Sequence, residues 1–439
     1  MVFIDNTSPR HDIRGMLMDI HDGSFTQWQP DGPYYWYGMG YSNCTLSRIY
    51  MPPQYCKGVY EPMGDGCGFR IDHPLSVYSS RDLVRWTFEG DALPMNLRPR
   101  GVYFRPKVIF DARTNEYVLW VNYLRQQGTH WPQNTPLQSY ISNISTLVAK
   151  SKSPTGPFRL ATPSRVMRNL QVGGVGDFAL LVDNGGSSAY IAYDAWDNGH
   201  RVRIEQLNKE WTASLPGAAA TTGDLSAAGV EAPILFERRG WYYLIYGSTC
   251  CFCAEGGSAT VQVARHPLGP WAPLGVDLNK WNTRTHCGRA VPSQNNYVAQ
   301  VATSSGELEY LFMGDLWTSA PDGLKSHDLQ YWAPLKFDDD ASPPTIAPLV
   351  WIDGFEIDVA GAAPSAVAPV GSGVFGPGSA RAKIMANRGS CSHNGTFEAW
   401  LLALIVAGAG ALVAACALCC CLAQARSRRG MLPGEKELT

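Results

Sequence analysis

The sequence predicts an all-β fold, a β-propeller of five similar units, followed by one C-terminal transmembrane helix. Three observations lead there. Short aromatic and β-branched runs recur between turn residues, turn motifs echo one another along the chain, and one long uncharged apolar stretch lies near the C-terminus.

The runs are Tyr34–Tyr37 (YYWY), Tyr117–Tyr123 (YVLWVNY), Ala189–Tyr193 (AYIAY), Trp241–Tyr246 (WYYLIY) and Glu309–Gly314 (EYLFMG). Such runs, bounded by Gly, Pro, Asn and Asp, read as strands. No long helical periodicity precedes the apolar stretch. Two echoes support repetition: Ser80-Arg-Asp-Leu-Val-Arg-Trp86 with Ser326-His-Asp-Leu-Gln-Tyr-Trp332, and Val148–Phe158 (VAKSKSPTGPF) with Val263–Trp271 (VARHPLGPW). Recurrent strand units with repeated turn chemistry point to a radial array. A β-sandwich is the alternative, but five similar units fit poorly into two packed sheets.

From Trp400 to Ala423 the chain carries no charge, and roughly 20 apolar residues suffice to span a bilayer as a helix. Arg426, Arg428 and Arg429 follow at once, which places the tail on the cytoplasmic side by the positive-inside rule. Cys416, Cys419, Cys420 and Cys421 at the inner end fit palmitoylation or simple apolar packing. The expected organisation is an N-terminal segment (1–14), a propeller (15–358), an Ala/Gly/Ser/Pro-rich stalk (359–398), a transmembrane helix (399–424) and a cytoplasmic tail (425–439).

The formal net charge is −2, from 36 basic and 38 acidic side chains, with no basic stripe. That argues against a nucleic-acid partner, whose phosphates need clustered Lys and Arg. Eight cysteines precede the anchor (Cys44, Cys56, Cys67, Cys250, Cys251, Cys253, Cys287 and Cys391). Their spacing does not suit a zinc site, so disulfides are expected. Asn-x-Ser/Thr triplets at Asn6, Asn43, Asn143 and Asn394 fit a lumenal or extracellular, glycosylated domain. The first residues, MVFIDNTSPRHDIRG, lack the apolar core of a secretory signal. Either a signal lies upstream of the given start or the domain is tail-anchored in the cytosol. The arginines, cysteines and triplets favour the former.

Acidic residues at strand starts are the candidates for chemistry: Asp22, Asp177 and Glu231. A carboxylate directly before a buried apolar run sits at the mouth of the core, where desolvation raises its pKa. The competing reading of each is a solvated turn acid. Gly173-Gly174-Val175-Gly176 is no dinucleotide fingerprint, and neither HExxH nor G-x-S-x-G occurs. Asp338–Asp340 reads as a solvated loop, with calcium the alternative.

In order along the chain, YYWYG, YSSRDLVRW, RPKVIFD, VAKSKSPTGPF, GDFALLVDNGGSSAYIAY, EAPILFERRGWYYLIY, VPSQNNYV and YLFMGDLW resemble glycoside hydrolase family 43, most closely its exo-β-1,3-galactanase (galactan 1,3-β-galactosidase) branch. The resemblance runs from about Asp19 to Asp358. It implies a five-bladed propeller with an axial pocket that cleaves glycosidic bonds with inversion. On the matching motifs Glu231 takes the general acid's place and Asp177 that of the aspartate that orients it. Gln294 takes the place of the glutamine that holds the attacking water, through its imidic-acid form. His21 matches the histidine of a His-Gly-Gly segment. Arg105 and Trp317, in RPK and GDLW, are candidate sugar contacts.

Two departures follow. Phe104 stands where the branch has a glutamate before Arg-Pro-Lys, and a phenylalanine neither accepts a proton nor hydrogen-bonds a hydroxyl. Asp22 stands where the branch has a glycine, about where other family members carry their base, which makes it the candidate base. The chemistry requires neither cofactor nor metal, since two positioned groups and one water suffice. The leading expectation is a membrane-anchored, inverting glycosidase trimming terminal sugars, galactose foremost, from galactan-type polysaccharide or glycoprotein chains. The rival is a propeller that binds surface glycans without turnover, with Phe104 stacking on sugar.

Overall fold

The computed structural model describes residues 1–41, 73–125, 144–163, 166–170, 174–249, 255–281, 288–317, 319–322 and 324–362. Five antiparallel sheets follow one another along the chain. Blade one comprises His21–Gln27, Tyr34–Met39, Leu75–Ser80 and Thr87–Asp91. Blade two comprises Gly101–Asp111, Glu116–Arg125, Ile144–Ser151 and Arg159–Leu160. Blade three has Val175–Asp183, Ser188–Ala195 and Arg201–Gln206. Blade four has Val230–Arg238, Trp241–Ser248, Thr260–Ala264 and Ala272–Asp277. Blade five has Gln294–Ala302, Leu308–Leu316 and Leu329–Pro334.

The first strand of each blade packs against the first strand of the next, and that of blade five against that of blade one. The sheets therefore close into a five-bladed β-propeller. All five aromatic runs are second strands. They are apolar nearly throughout because neighbouring blades cover both faces of each sheet. In blade three, Ile191 and Tyr193 pack with Val118 and Trp120 of blade two, while Tyr190 and Ala192 pack with Leu235 and Leu244 of blade four. The two-residue period of a strand thus serves both neighbours at once.

Only one of the two sequence echoes marks equivalent places. Val148–Phe158 and Val263–Trp271 both run from a third strand toward a fourth through a Gly-Pro turn. Ser80–Trp86 leaves a third strand, whereas Ser326–Trp332 enters one. Their tryptophans nevertheless meet, Trp86 lying 6.4 Å from Trp332 at the seam between blades one and five.

That seam is tied by a strand from the segment 1–14, which the sequence reading leaves outside the propeller. Val2–Asp5 pairs antiparallel with Gly354–Ile357, and Val2, Ile4 and Ile357 join the core shared by blades one and five. Asn6 then locks the seam: its Nδ2 donates to Trp332 O (2.8 Å) and Ile352 O (3.2 Å), and its Oδ1 accepts from Trp332 N (3.0 Å). With Asn6 only 1% exposed, a glycan there is incompatible with this fold, which corrects the expectation that its triplet is a glycosylation site.

Among the described residues no helix is long and apolar enough to cross a membrane. The predicted transmembrane helix and tail, the stalk beyond Ala362, all the cysteines and Asn43, Asn143 and Asn394 lie outside the described residues. Asp339 of the acidic loop pairs with Arg238 and with Arg239 (2.7 Å), which accounts for it as an ion-pair partner.

Removing the Asn6 side chain strands buried groups on Trp332, at a cost of about 1–3 kcal/mol. Asn6→Ala is expected to lower the thermal unfolding midpoint by a few degrees. An unchanged midpoint would show that the seam does not depend on this residue.

Candidate active site

Every first strand slips register at the same level. The irregularities fall between His21 and Ser24, Phe104 and Lys107, Val175 and Phe178, Glu231 and Ile234, and Asn295 and Tyr297. A bulge re-aims side chains out of the pleat, and here the bulged positions include Asp22, Arg105, Asp177 and Asn296. Three carry a non-glycine residue at positive φ: Asp22 (55°), Arg105 (53°) and Ala232 (54°). That conformation is costly and persists only when the surroundings enforce it. Close backbone approach requires glycine alongside two of these acids. A Cβ on Gly23 would strike Tyr37 O, and one on Gly176 would strike Asp194 and Trp196.

Arg105 is the hub. Only 2% exposed, it places Nε 2.7 Å from Asp177 Oδ1 and Nη2 3.3 Å from Asp22 Oδ1. Its Nη1 donates to Asn295 O (3.0 Å) and Asn296 Oδ1 (3.3 Å). Burial works against its charge, but the carboxylates of Asp177, Asp22, Glu231 and Asp315 outweigh it and hold the guanidinium above its ordinary range. Burial pushes the Asp22 carboxyl up to about 6; Arg105 and Lys107 oppose that rise while Asp315 and Asp177 add to it.

Glu231 is buried beside this hub. Gln294 Nε2 donates to Glu231 Oε1 (2.8 Å), and Trp317 Nε1 donates to Gln294 Oε1 (2.9 Å). An indole N–H can only donate, so the amide oxygen faces Trp317 and the amide nitrogen faces Glu231. Asp177 reaches the same place by backbone, its Oδ2 accepting from the N–H of Ala232 (3.1 Å), the residue after Glu231. Asp22, Asp177, Glu231 and Gln294, expected to act together, are thus brought together.

Of the expected sugar contacts, Arg105 is the hub itself. His21 and Trp317 are 1% and 2% exposed. The His21 ring lies 5.5 Å from Trp317 and 5.4 Å from Tyr41, and Lys325 Nζ sits 3.7 Å from the Trp317 ring. Phe104 is half-buried against the cluster that contains Tyr41, Tyr103 and Trp317. Burial lowers the His21 imidazole, but Asp315, with Asp19 and Asp328, overrides it and leaves the ring raised.

Sequence reasoning missed Asp315, Lys107 and the pair Asp194–His200. Asp194 accepts from Trp196 Nε1 (2.6 Å) and pairs with His200 Nδ1 (2.8 Å). Burial raises Asp194 to about 6 despite His200. For His200 burial acts to lower, yet Asp194, Glu231 and Asp177 leave it raised. The only sequence signals were the polar run DAWDNGH after an apolar strand and the acid and lysine inside GDLW and RPK. Among the described residues no group of His, Cys, Asp and Glu is arranged to hold a metal ion.

The family model for glycosyl hydrolases family 43 matches residues 68–299. Among solved structures, an exo-β-1,3-galactanase from Clostridium thermocellum is 25% identical with a TM-score of 0.59, over 82% of this chain and 67% of that one. The exo-β-1,3-galactanase from Phanerochaete chrysosporium with β-1,3-galactotriose is 22% identical with a TM-score of 0.59, over 82% and 69%. A β-1,3-galactosidase with galactodeoxynojirimycin is 22% identical with a TM-score of 0.54, over 80% and 99%. No curated protein matches the chain.

The Asp194–His200 pair is open to direct titration. The His200 imidazole, followed by NMR, is expected to titrate above the ordinary value of about 6.5 in the native protein and lower in Asp194→Asn, where only Glu231 and Asp177 still oppose burial. Equal titration in both would show that the pair does not form.

Proposed function

Since the chain belongs to glycosyl hydrolases family 43, and is thus a glycosidase that hydrolyses glycosidic bonds, we propose that it releases terminal galactose from β-1,3-galactan-type chains with inversion at the anomeric carbon. The single observation that carries this reading is the Arg105 hub, which gathers Asp22 and Asp177 beside Glu231 on three different blades.

In this reading Glu231 is the general acid. The Gln294 N–H donated to Oε1 favours the carbonyl form there and leaves the acidic proton on Oε2, from which it passes to the departing glycosidic oxygen. Asp22 is the general base and takes a proton from the water that attacks the opposite face of the sugar. In this reading Gln294 orients the acid rather than the water, its oxygen accepting from Trp317 and its nitrogen donating to Glu231. Asp177 holds Arg105 on one side and the backbone next to Glu231 on the other, so it fixes the acid's place. Neither metal nor cofactor enters these steps. The galactose preference rests on likeness to galactanases and a galactosidase.

The same reading includes the remaining expectations from the sequence: a propeller outside the membrane at 15–358, a stalk, and an anchor at 399–424 with a cytoplasmic tail. The uncharged run and the arginines after it support these. A second reading, a glycan-binding propeller without turnover, is favoured by Phe104 alone, since an apolar ring there removes a polar contact.

The test is the full-length protein with aryl β-galactosides and β-1,3-galactan oligosaccharides, the first product followed by proton NMR. Galactose is expected to appear first as the α-anomer, and Glu231→Gln and Asp22→Asn each to lose about 10³-fold or more in kcat while remaining folded. A β-anomer product would exclude inversion, unchanged turnover in either variant would remove that residue from its role, and binding without turnover would favour the second reading. Because the base works ionised and burial raises Asp22, the acid limb of kcat/KM is expected near pH 6, well above the ordinary aspartate value of about 4. A limb at the ordinary value would contradict the assignment.

A further inference from the structure

Asp22 is held at positive φ with a buried charge of opposite sign on each side of it. Its own N–H donates to Asp315 Oδ2 (2.8 Å), from the second strand of blade five. On the other side Lys107 Nζ, from the first strand of blade two, donates to Asp22 O (2.9 Å) and Gly23 O (3.3 Å). Asp315 is fully buried and Lys107 is 2% exposed. Asp315 is itself fixed from behind, Asn296 Nδ2 donating to Oδ2 (2.6 Å) and His21 Nδ1 lying 3.5 Å from Oδ1.

Neutral groups would satisfy one amide and two carbonyls at far smaller desolvation cost, since buried charges are expensive unless paired and hydrogen-bonded. Burial, with Arg105 beside it, lowers the Lys107 ammonium to about 7, while Asp22, Asp315 and Asp177 act to keep it charged. Around the Asp22 carboxylate stand Arg105 and Lys107 from blade two, Asp177 from blade three, Asp315 from blade five and, next in sequence, His21, which in turn faces Asp19, Asp315 and Asp328.

We propose that Lys107 and Asp315 are positioning residues for the reaction: from opposite sides they clamp the bulge that aims Asp22 at the axis, and both bear on its carboxyl group. The clamp bears on catalysis through the reading of Asp22 as base. Asp315 favours the protonated carboxyl and Lys107 the ionised one, in agreement with the directions in which each moves it.

The experiment is carboxyl 13C NMR on the full chain labelled at aspartate Cγ, the Asp22 signal assigned by its loss in Asp22→Asn, alongside the pH profile of kcat/KM. Asp315→Asn keeps the size and the acceptor but removes the charge, and is expected to move the Asp22 titration down by about one pH unit. Lys107→Met is expected to move it up by about one unit and to cut kcat by about 10- to 100-fold, as the bulge carbonyls lose their donor. Lys107→Arg, keeping charge and donors, is expected to titrate close to the native protein. Should Lys107→Met fail to fold, the near-isosteric Asp315→Asn decides the matter alone. An Asp22 titration that stays put, or moves the same way in both folded variants, overturns the clamp. A titration that shifts as expected while the acid limb does not follow leaves the clamp standing and removes Asp22 as the base.

Discussion

A buried guanidinium, that of Arg105, is the interaction on which the centre of this molecule depends. Asp22, Asp177, Glu231 and Asp315 converge from four blades on a region almost free of solvent. Their mutual repulsion in low dielectric would amount to several kcal/mol per pair without a counter-charge. Arg105 binds two of them directly and fastens itself to blade five through Asn295 and Asn296. Its planar fork can engage several partners at once in a way a lysine cannot. The site is therefore an array of mutually dependent charges, in which no acid can be described without the others.

The scaffold delivers this array by repeating one device. Each inner strand breaks register at the same level, so five regular sheets turn irregular only around the axis. The strain at Asp22, Arg105 and Ala232 is sustained by ordinary packing farther out, where second strands share their two faces between neighbours. Ring closure matters for the same reason. Asp22 and Asp315 sit on the two blades that meet at the seam, and the seam is held by the N-terminal strand and by Asn6.

What the sequence revealed follows the range over which its signals act. Second strands were legible because coverage on both faces demands dense aromatic and β-branched residues within a few positions. Asp177 and Glu231 were legible because an acid directly before an apolar run is a local pattern, and Asp22 because it lies a fixed count from YYWY. Asp315 and Lys107 were not, since Asp315 meets Asp22 across 293 residues of chain and no local motif encodes such a meeting. Trp317 was legible as an aromatic near the site, but its N–H toward Gln294 could be seen only once the ring had closed. The Asn6 triplet misled, because burial rather than sequence decides whether such an asparagine is accessible.

The central claim, that Arg105 gathers an acid and a base on opposite faces of one sugar, is tested most directly by a crystal structure of Glu231→Gln with a β-1,3-galactooligosaccharide. A terminal galactose is expected on the axis, with residue 231 against the glycosidic oxygen, a water held by Asp22 beneath the anomeric carbon, and the two carboxyl positions roughly 6.5–9.5 Å apart. A sugar bound away from Arg105, or Asp22 and residue 231 lying on the same face of the ring, would contradict it.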